Sequence, residues 1–81
     1  MKKGFPKNVA AIDVGSNFLR MMIAEISTEG IITPLEDVFK PTRIGRDTFA
    51  SGAISLESVR ELCDTLRGFR RLMSDYQIKE Y

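Results

Sequence analysis

The amino-acid sequence predicts an α/β fold in which an antiparallel three-stranded meander is followed by one amphipathic helix. Short apolar runs separated by turn residues fill the first half of the chain, and such runs are typical of strands. In the second half, apolar residues recur every three or four positions, as they do along one face of a helix. A length of 81 residues allows one small domain.

The first two predicted strands are residues 9–14 (VAAIDV) and 18–26 (FLRMMIAEI), which are apolar at nearly every position. Runs of this kind are typical of strands covered on both faces. Gly15-Ser16-Asn17 separates them and predicts a β-hairpin. The third predicted strand is residues 31–40. It contains Pro34, which has no N–H for a ladder, so we expect it at the sheet edge.

Residues 41–53 contain Gly45 and Gly52 and are predicted to form a loop. Ser55 is the expected N-cap of the helix that follows, and this helix is expected to end near Ser74. Residues 76–81 are expected to open a further strand. The apolar stripe of the helix consists of Leu56, Val59, Leu62, Cys63, Leu66, Phe69, Leu72, Met73 and Tyr76.

Composition excludes several classes of function. The 12 basic and 11 acidic residues give a formal net charge of +1, which argues against a strongly basic nucleic-acid-binding protein. No apolar run is long enough for a transmembrane helix or a signal peptide, so we expect a cytoplasmic protein. The sequence has no histidine and one cysteine, which excludes Ser-His-Asp and Cys-His catalysis within the chain. The remaining carboxylates, hydroxyls and amides suit phosphate and magnesium.

One predicted helix can cover only one face of a sheet whose first two strands are apolar on both faces. We therefore expect a second layer that this chain does not supply. The sequence favours the front end of a larger protein. The alternative is a small domain whose uncovered face binds a partner or a second copy of the chain.

The motif whose residues could bind a ligand is Asp13-x-Gly15-Ser16-Asn17, where the first strand ends and the hairpin begins. Consecutive N–H groups of a tight turn can hold an anion, and Gly15 permits a positive φ and a close backbone approach. Asp13 would act on phosphate through Mg²⁺ or water. A carboxylate buried beside apolar strands needs a partner, which favours this interpretation over an ordinary hairpin whose aspartate caps the turn.

Two blocks of the sequence, AIDVGSN at residues 11–17 and TRIG at residues 42–45, resemble the exopolyphosphatase and guanosine pentaphosphate phosphohydrolase (Ppx/GppA) family. Gly52 and Ile54 ahead of the helix add to the resemblance, which runs from about Val9 to Tyr81. The family belongs to the actin, sugar kinase and Hsp70 superfamily. The resemblance therefore implies that residues 1–81 are the truncated amino-terminal part of a first ribonuclease H-like domain.

The resemblance also implies roles for individual residues. Gly15-Ser16-Asn17 matches the first phosphate-binding loop of the family, and Asp13 matches its first-loop aspartate, expected near the catalytic Mg²⁺. Arg43 matches the arginine of the short R-[LI]-G motif and is a candidate phosphate contact. The alternative for Arg43 is a surface arginine that pairs with Asp47.

The implied activity of the intact protein is Mg²⁺-dependent hydrolysis of the terminal phosphoanhydride of inorganic polyphosphate or guanosine pentaphosphate. The general-base glutamate and the second phosphate loop of the family are expected beyond Tyr81. We therefore expect no catalytic residue within this chain and no turnover by the chain alone. Phe18 departs from the family, which usually has a serine at this position.

Two other functions remain open. One is a nucleotide-binding ATPase or kinase of the same superfamily, against which the TRIG block argues. The other is a non-enzymatic interaction module that uses the uncovered sheet face, through which self-association is expected. No nucleic-acid or membrane partner is expected, because the arginines of the helix are interleaved with acids, namely Glu57, Glu61, Asp64 and Asp75.

Overall fold

The structure, a computed structural model, describes residues 4–81 as a three-stranded antiparallel sheet and two helices. The elements are β1 (Lys7–Val14), β2 (Phe18–Ile26), β3 (Ile32–Pro41), α1 (Ile44–Ser51) and α2 (Leu56–Asp75). The strand order β1-β2-β3 confirms the predicted meander and the α/β class. Pro34 lies in β3, which is an edge strand of this sheet, as predicted.

The core lies between β2 and α2. Leu19, Met21 and Ile23 alternate along β2 and are at most 1% exposed. They pack with Phe69 and Met73 of α2 in one buried cluster. Because successive strand side chains point to opposite faces, these residues define the helix-covered face of the sheet.

The other face of the sheet, which we call the open face, is largely uncovered within residues 4–81. By alternation and register it carries Asp13 from β1, Phe18 and Arg20 from β2, and Asp37 and Phe39 from β3. All but Phe18 are exposed, and Phe18 is half-buried. Helix α2 therefore covers one face of the sheet, and the other face carries charged as well as aromatic side chains.

The prediction of a loop over residues 41–53 is wrong, because α1 lies within it. Thr48 and Ser51 side chains donate to the carbonyls of Ile44 and Asp47, at 2.8 and 3.0 Å. Gly52, which the sequence suggested as loop punctuation, is the left-handed residue that ends α1, with φ of 74°. Short polar side chains favour turns by propensity, so helix formation here depends on tertiary contacts.

Helix α2 begins as predicted and uses its apolar stripe only in part. Ser55 is its N-cap, and the Ser55 hydroxyl accepts from the Ser58 N–H at 3.1 Å. The sheet covers chiefly the C-terminal half of the helix, whereas Leu56 and Val59 are exposed. Cys63, expected in the core, is exposed too, because the stripe is broader than the face that the sheet covers.

Residues 76–81 form no strand of their own, contrary to expectation, but they lie beside β1. The Ala10 N–H donates to the Glu80 carbonyl at 3.2 Å, and Lys7 Nζ lies 3.2 Å from the Glu80 carboxylate. A single backbone hydrogen bond is too little for a ladder. No helix among the described residues is both long and apolar enough to cross a bilayer.

Candidate phosphate-binding turn

Residues 15–17 form the tight connection between β1 and β2. The Gly15 N–H donates to the Phe18 carbonyl at 2.9 Å and closes the turn. A Cβ at Gly15 would lie 3.0 Å from that carbonyl oxygen, so glycine permits this approach. The φ of Gly15 is not in the positive region. Gly15 therefore serves the turn through a close backbone contact and not through a positive φ.

The rest of the turn is held from one side by residues 42–45, which we call the clamp segment. The Ser16 carbonyl accepts from the Gly45 N–H at 2.8 Å, and the Asn17 carbonyl accepts from the Thr42 N–H at 2.9 Å. Ser16 and Asn17 are exposed. Within residues 4–81, their own N–H groups and side chains have no hydrogen-bond partner, so they are available to a ligand.

Asp13 is exposed, so the argument that a buried carboxylate there needs a partner is wrong. Asp13 faces Arg20 across the β1–β2 ladder. Arg20 instead forms a two-bond ion pair with Asp37, in which Nε–Oδ1 is 2.9 Å and Nη2–Oδ2 is 2.7 Å. The hydrogen bond from Arg20 lowers the pKa of Asp37, and the pKa of Arg20 is raised mainly by Asp37 and slightly by Asp13.

The ligand set at Asp13 fits a magnesium ion only in part. Within the described residues, no three carboxylate or thiol groups are close enough together to hold a metal. Protein-bound Mg²⁺ commonly has one or two carboxylates, with the remaining ligands from water and substrate phosphate. Asp13 therefore suits one ligand of an ion shared with a bound phosphate, and not a site that holds metal alone.

The guanidinium of Arg43 is bound by α2 and not by Asp47. Nη2 lies 2.6 Å from Glu61 Oε1 and 3.2 Å from Glu57 Oε1, and these partners raise the pKa of Arg43, Glu57 first. The proposed surface pair with Asp47 is therefore wrong. The structure brings the backbone of the clamp segment to the turn, while the charged end of Arg43 contacts α2.

Asp47 instead joins α1 to the start of α2. Its carboxylate accepts from the N–H and hydroxyl of Ser55, at 3.2 and 2.9 Å, and from the Ser58 hydroxyl. These bonds lower the pKa of Asp47, with the Ser58 hydroxyl the largest cause. Sequence reasoning missed this contact and the Thr42 and Gly45 amides, because backbone donors leave no signature in side-chain patterns.

The turn lies outside two surface clefts of the described chain. A cleft of about 900 Å³ lies between the start of β1 and residues 74–80. A second of about 420 Å³ lies between β3 and α2. Ser16 and Asn17 therefore contact bulk water, where the attraction between a turn and an anion is weak.

Two solved structures share this arrangement of strands and helices. They are the Ppx/GppA protein family member from Aquifex aeolicus and the type II variant of the Aquifex aeolicus Ppx/GppA phosphatase. Each matches with a TM-score of 0.84, 23% sequence identity and 91% coverage of this chain. The chain has a Ppx/GppA fold.

The match covers 24% of each Ppx/GppA chain, so the present sequence spans about a quarter of the length of these proteins. No family model matches the sequence. No curated protein matches it significantly either. At this level of identity the Ppx/GppA likeness establishes the fold, and the function has to be argued from the turn.

Proposed function

We propose that this chain is the amino-terminal part of a Ppx/GppA-type phosphatase and carries its first phosphate-binding turn. The substrate class is a chain of phosphoanhydrides, either inorganic polyphosphate or guanosine pentaphosphate. The proposed reaction of the intact protein is hydrolysis of the terminal phosphoanhydride in the cytoplasm. Gly15, Ser16 and Asn17 hold the terminal phosphate, with Asp13 at its metal.

The observation that carries this proposal is the hydrogen bonding of Ser16 and Asn17 in the turn. Ser16 and Asn17 present N–H, hydroxyl and amide donors that no described residue uses, while both of their carbonyls are engaged. Consecutive N–H groups of a turn can bind an anion when they have no other acceptor. A bound phosphate would supply the acceptors that these donors lack.

Asp13 would hold a Mg²⁺ ion, which would supply positive charge to offset that of the phosphoryl group. The chain's own residues bind and orient the phosphate. Arg20, which is opposite Asp13 on the open face, is paired with Asp37. The Asp13 carboxylate is therefore left available for a metal. In this proposal Arg43 contacts phosphate only if it leaves Glu61.

The isolated chain is proposed to bind and not to hydrolyse. In-line attack by water requires a positioned base and an enclosed electrostatic site. The turn is exposed, and the carboxylate beside it, Asp13, is assigned in this proposal to the metal and not to the attacking water. A longer protein would supply the remaining walls, the base and a cover for the open face.

Binding is tested by titrating inorganic triphosphate with Mg²⁺ into the isotopically labelled chain and recording backbone amide spectra. Saturable shifts centred on Gly15, Ser16 and Asn17 are expected, with an affinity reduced at least threefold in Ser16→Ala or Asn17→Ala because each loses a charge-assisted donor. Asp64→Asn, a change on the exposed surface of α2, is the matched control.

A dispersed spectrum that does not move with triphosphate would contradict the proposal. Equal shifts with sodium sulfate at the same ionic strength would show general anion attraction and would also contradict it. The kinase or ATPase alternative predicts that ATP displaces triphosphate more effectively than polyphosphate does, so competition distinguishes the two.

The interaction module remains a second candidate because of the open face. Phe39, on this face of β3, is 59% exposed and stacks on Phe18. An exposed aromatic pair of this kind can take part in a binding site. Self-association that occurs without any phosphate affinity would favour this candidate over the phosphatase fragment.

A further inference from the structure

We propose that the clamp segment, residues 42–45, positions the phosphate-binding turn, and that Arg43 acts by anchoring this segment to α2 and not by touching phosphate. The inference rests on the proposed function and assigns new roles within it. Gly45 and Thr42 are the residues that touch the turn. Arg43 and Glu61 are positioning residues behind them.

The orientation of the turn amides follows from the clamp contacts. A trans peptide is planar, so the carbonyl of one residue and the N–H of the next point in opposite directions. The Ser16 carbonyl points at the Gly45 N–H, 2.8 Å away. The Asn17 N–H, in the same peptide group, therefore points away from the clamp segment and towards a ligand on the other side.

Gly45 is required by the closeness of this contact. A Cβ at Gly45 would lie 3.1 Å from both the Cβ and the carbonyl oxygen of Ser16, and 3.2 Å from Asn17 Oδ1. Gly45 lies within α1, and its φ is not in the positive region. The backbone conformation at this position is therefore compatible with alanine. A side chain here would displace the turn while favouring the helix.

Arg43 lies on the wrong side of the turn for a direct phosphate contact. An anion at the Asn17 N–H lies opposite the segment that carries Arg43. The guanidinium instead makes two hydrogen bonds to Glu61, Nη2–Oε1 at 2.6 Å and Nε–Oε2 at 3.3 Å. Paired bonds of this kind fix geometry as well as charge, so they tie the clamp segment to α2.

The first test compares Gly45→Ala with Gly68→Ala. Gly68 is a glycine of α2 whose Cβ would meet nothing within 4 Å. Both substitutions raise helix propensity, so a lower thermal midpoint in Gly45→Ala alone would report the crowding of the turn. Gly45→Ala is expected to weaken Mg²⁺-triphosphate binding about tenfold, because displacement of a positioned group is costly, whereas Gly68→Ala leaves affinity unchanged.

The second test asks whether Arg43 anchors the clamp segment or contacts phosphate. The two roles predict opposite changes in triphosphate affinity when Glu61 is replaced. Glu61→Gln weakens the hold on Arg43, and Asp64→Asn removes the same charge without touching the clamp segment. An anchoring role predicts that Glu61→Gln binds triphosphate about threefold more weakly than Asp64→Asn. A phosphate contact predicts the reverse, because the freed guanidinium would bind more tightly.

Each outcome is decisive. If the wild-type chain binds no triphosphate, the proposed function fails. If it binds and Gly45→Ala binds equally well, the clamp inference fails while the function stands. If Gly45→Ala does not fold, the clamp inference is decided by comparing the triphosphate affinity of Glu61→Gln with that of Asp64→Asn. Ligand-free exchange rates give a further readout, since anchoring predicts faster exchange of the Gly45 and Thr42 amide protons in Glu61→Gln.

Discussion

Phe18 shows how one residue links the turn to the sheet. Its ring lies on the open face directly after Asn17 and stacks on Phe39, with ring centroids 4.7 Å apart and an interplanar angle of 23°. The family that the sequence resembles usually has a serine at this position, and a serine could not make this contact. The departure therefore exchanges a hydroxyl beside the turn for an aromatic contact between β2 and β3.

We expect this stack to contribute about 1 kcal/mol of coupling to stability, beyond the area that the rings bury. The measurement is a double-mutant cycle with Phe18→Leu and Phe39→Leu, followed by chemical denaturation. Phe49→Leu is the control, because Phe49 is 96% exposed, and it is expected to change the unfolding free energy little. Additive effects of the two leucine substitutions would contradict the coupling.

At the scale of elements, the junction of α1 and α2 rests on a single carboxylate. Asp47 lies in the first turn of α1 and accepts hydrogen bonds from the N-cap of α2. The same α1 begins at the clamp segment. The aspartate therefore connects the start of α2, through one short helix, to the segment that contacts the turn at residues 15–17.

The lowered pKa of Asp47 predicts the direction of a pH effect. Its stabilising contribution is complete above the ordinary aspartate pKa and is lost as the pH falls through the lower pKa of the folded state. Asp47→Asn, which keeps the shape, is therefore expected to destabilise at pH 7 and to lose this effect on acidification.

The measurement is the free energy of unfolding of the wild type and Asp47→Asn as a function of pH. Asp64→Asn provides a control on the same surface, since Asp64 contacts only Arg67 at 3.0 Å. A difference between wild type and Asp47→Asn that stayed constant down to the lowest pH would show that the carboxylate charge does not support the junction.

At the scale of the whole molecule, the sheet has one covered and one open face. The covered face holds the core with α2. On the open face the Arg20–Asp37 pair is half-exposed, and exposed ion pairs of this kind add little stability. Apolar side chains around it gain more from being covered, at roughly 25 cal/mol for each Å² removed from water.

We therefore expect the isolated chain to self-associate through the open face. Sedimentation is expected to show an average mass that rises with protein concentration. Phe39→Ser should shift this rise to higher concentration. Phe49→Ser should not, because it removes the same apolar side chain from α1 and not from the sheet. A stable monomer at high concentration would contradict the expectation.

The sequence by itself determined the elements that have a strong local signal. The alternation of apolar runs and turns gave the three strands, Pro34 placed β3 at an edge, and the helical spacing with Ser55 gave α2 and its start. The motif at residues 13–17 placed the hairpin turn between β1 and β2, while the phosphate chemistry assigned to it stays a prediction. These features depend on neighbours in the chain, which is why they could be predicted.

Only the tertiary structure decided the rest. Helix α1 is stabilised by contacts with the turn, which lies far from it in sequence, and with Ser55, the N-cap of the next helix. Arg43 pairs with Glu61 rather than with its neighbour Asp47, and Asp13 is exposed because its face of the sheet is uncovered. Each outcome depends on which residues approach from elsewhere in the chain, and local patterns carry no information about that.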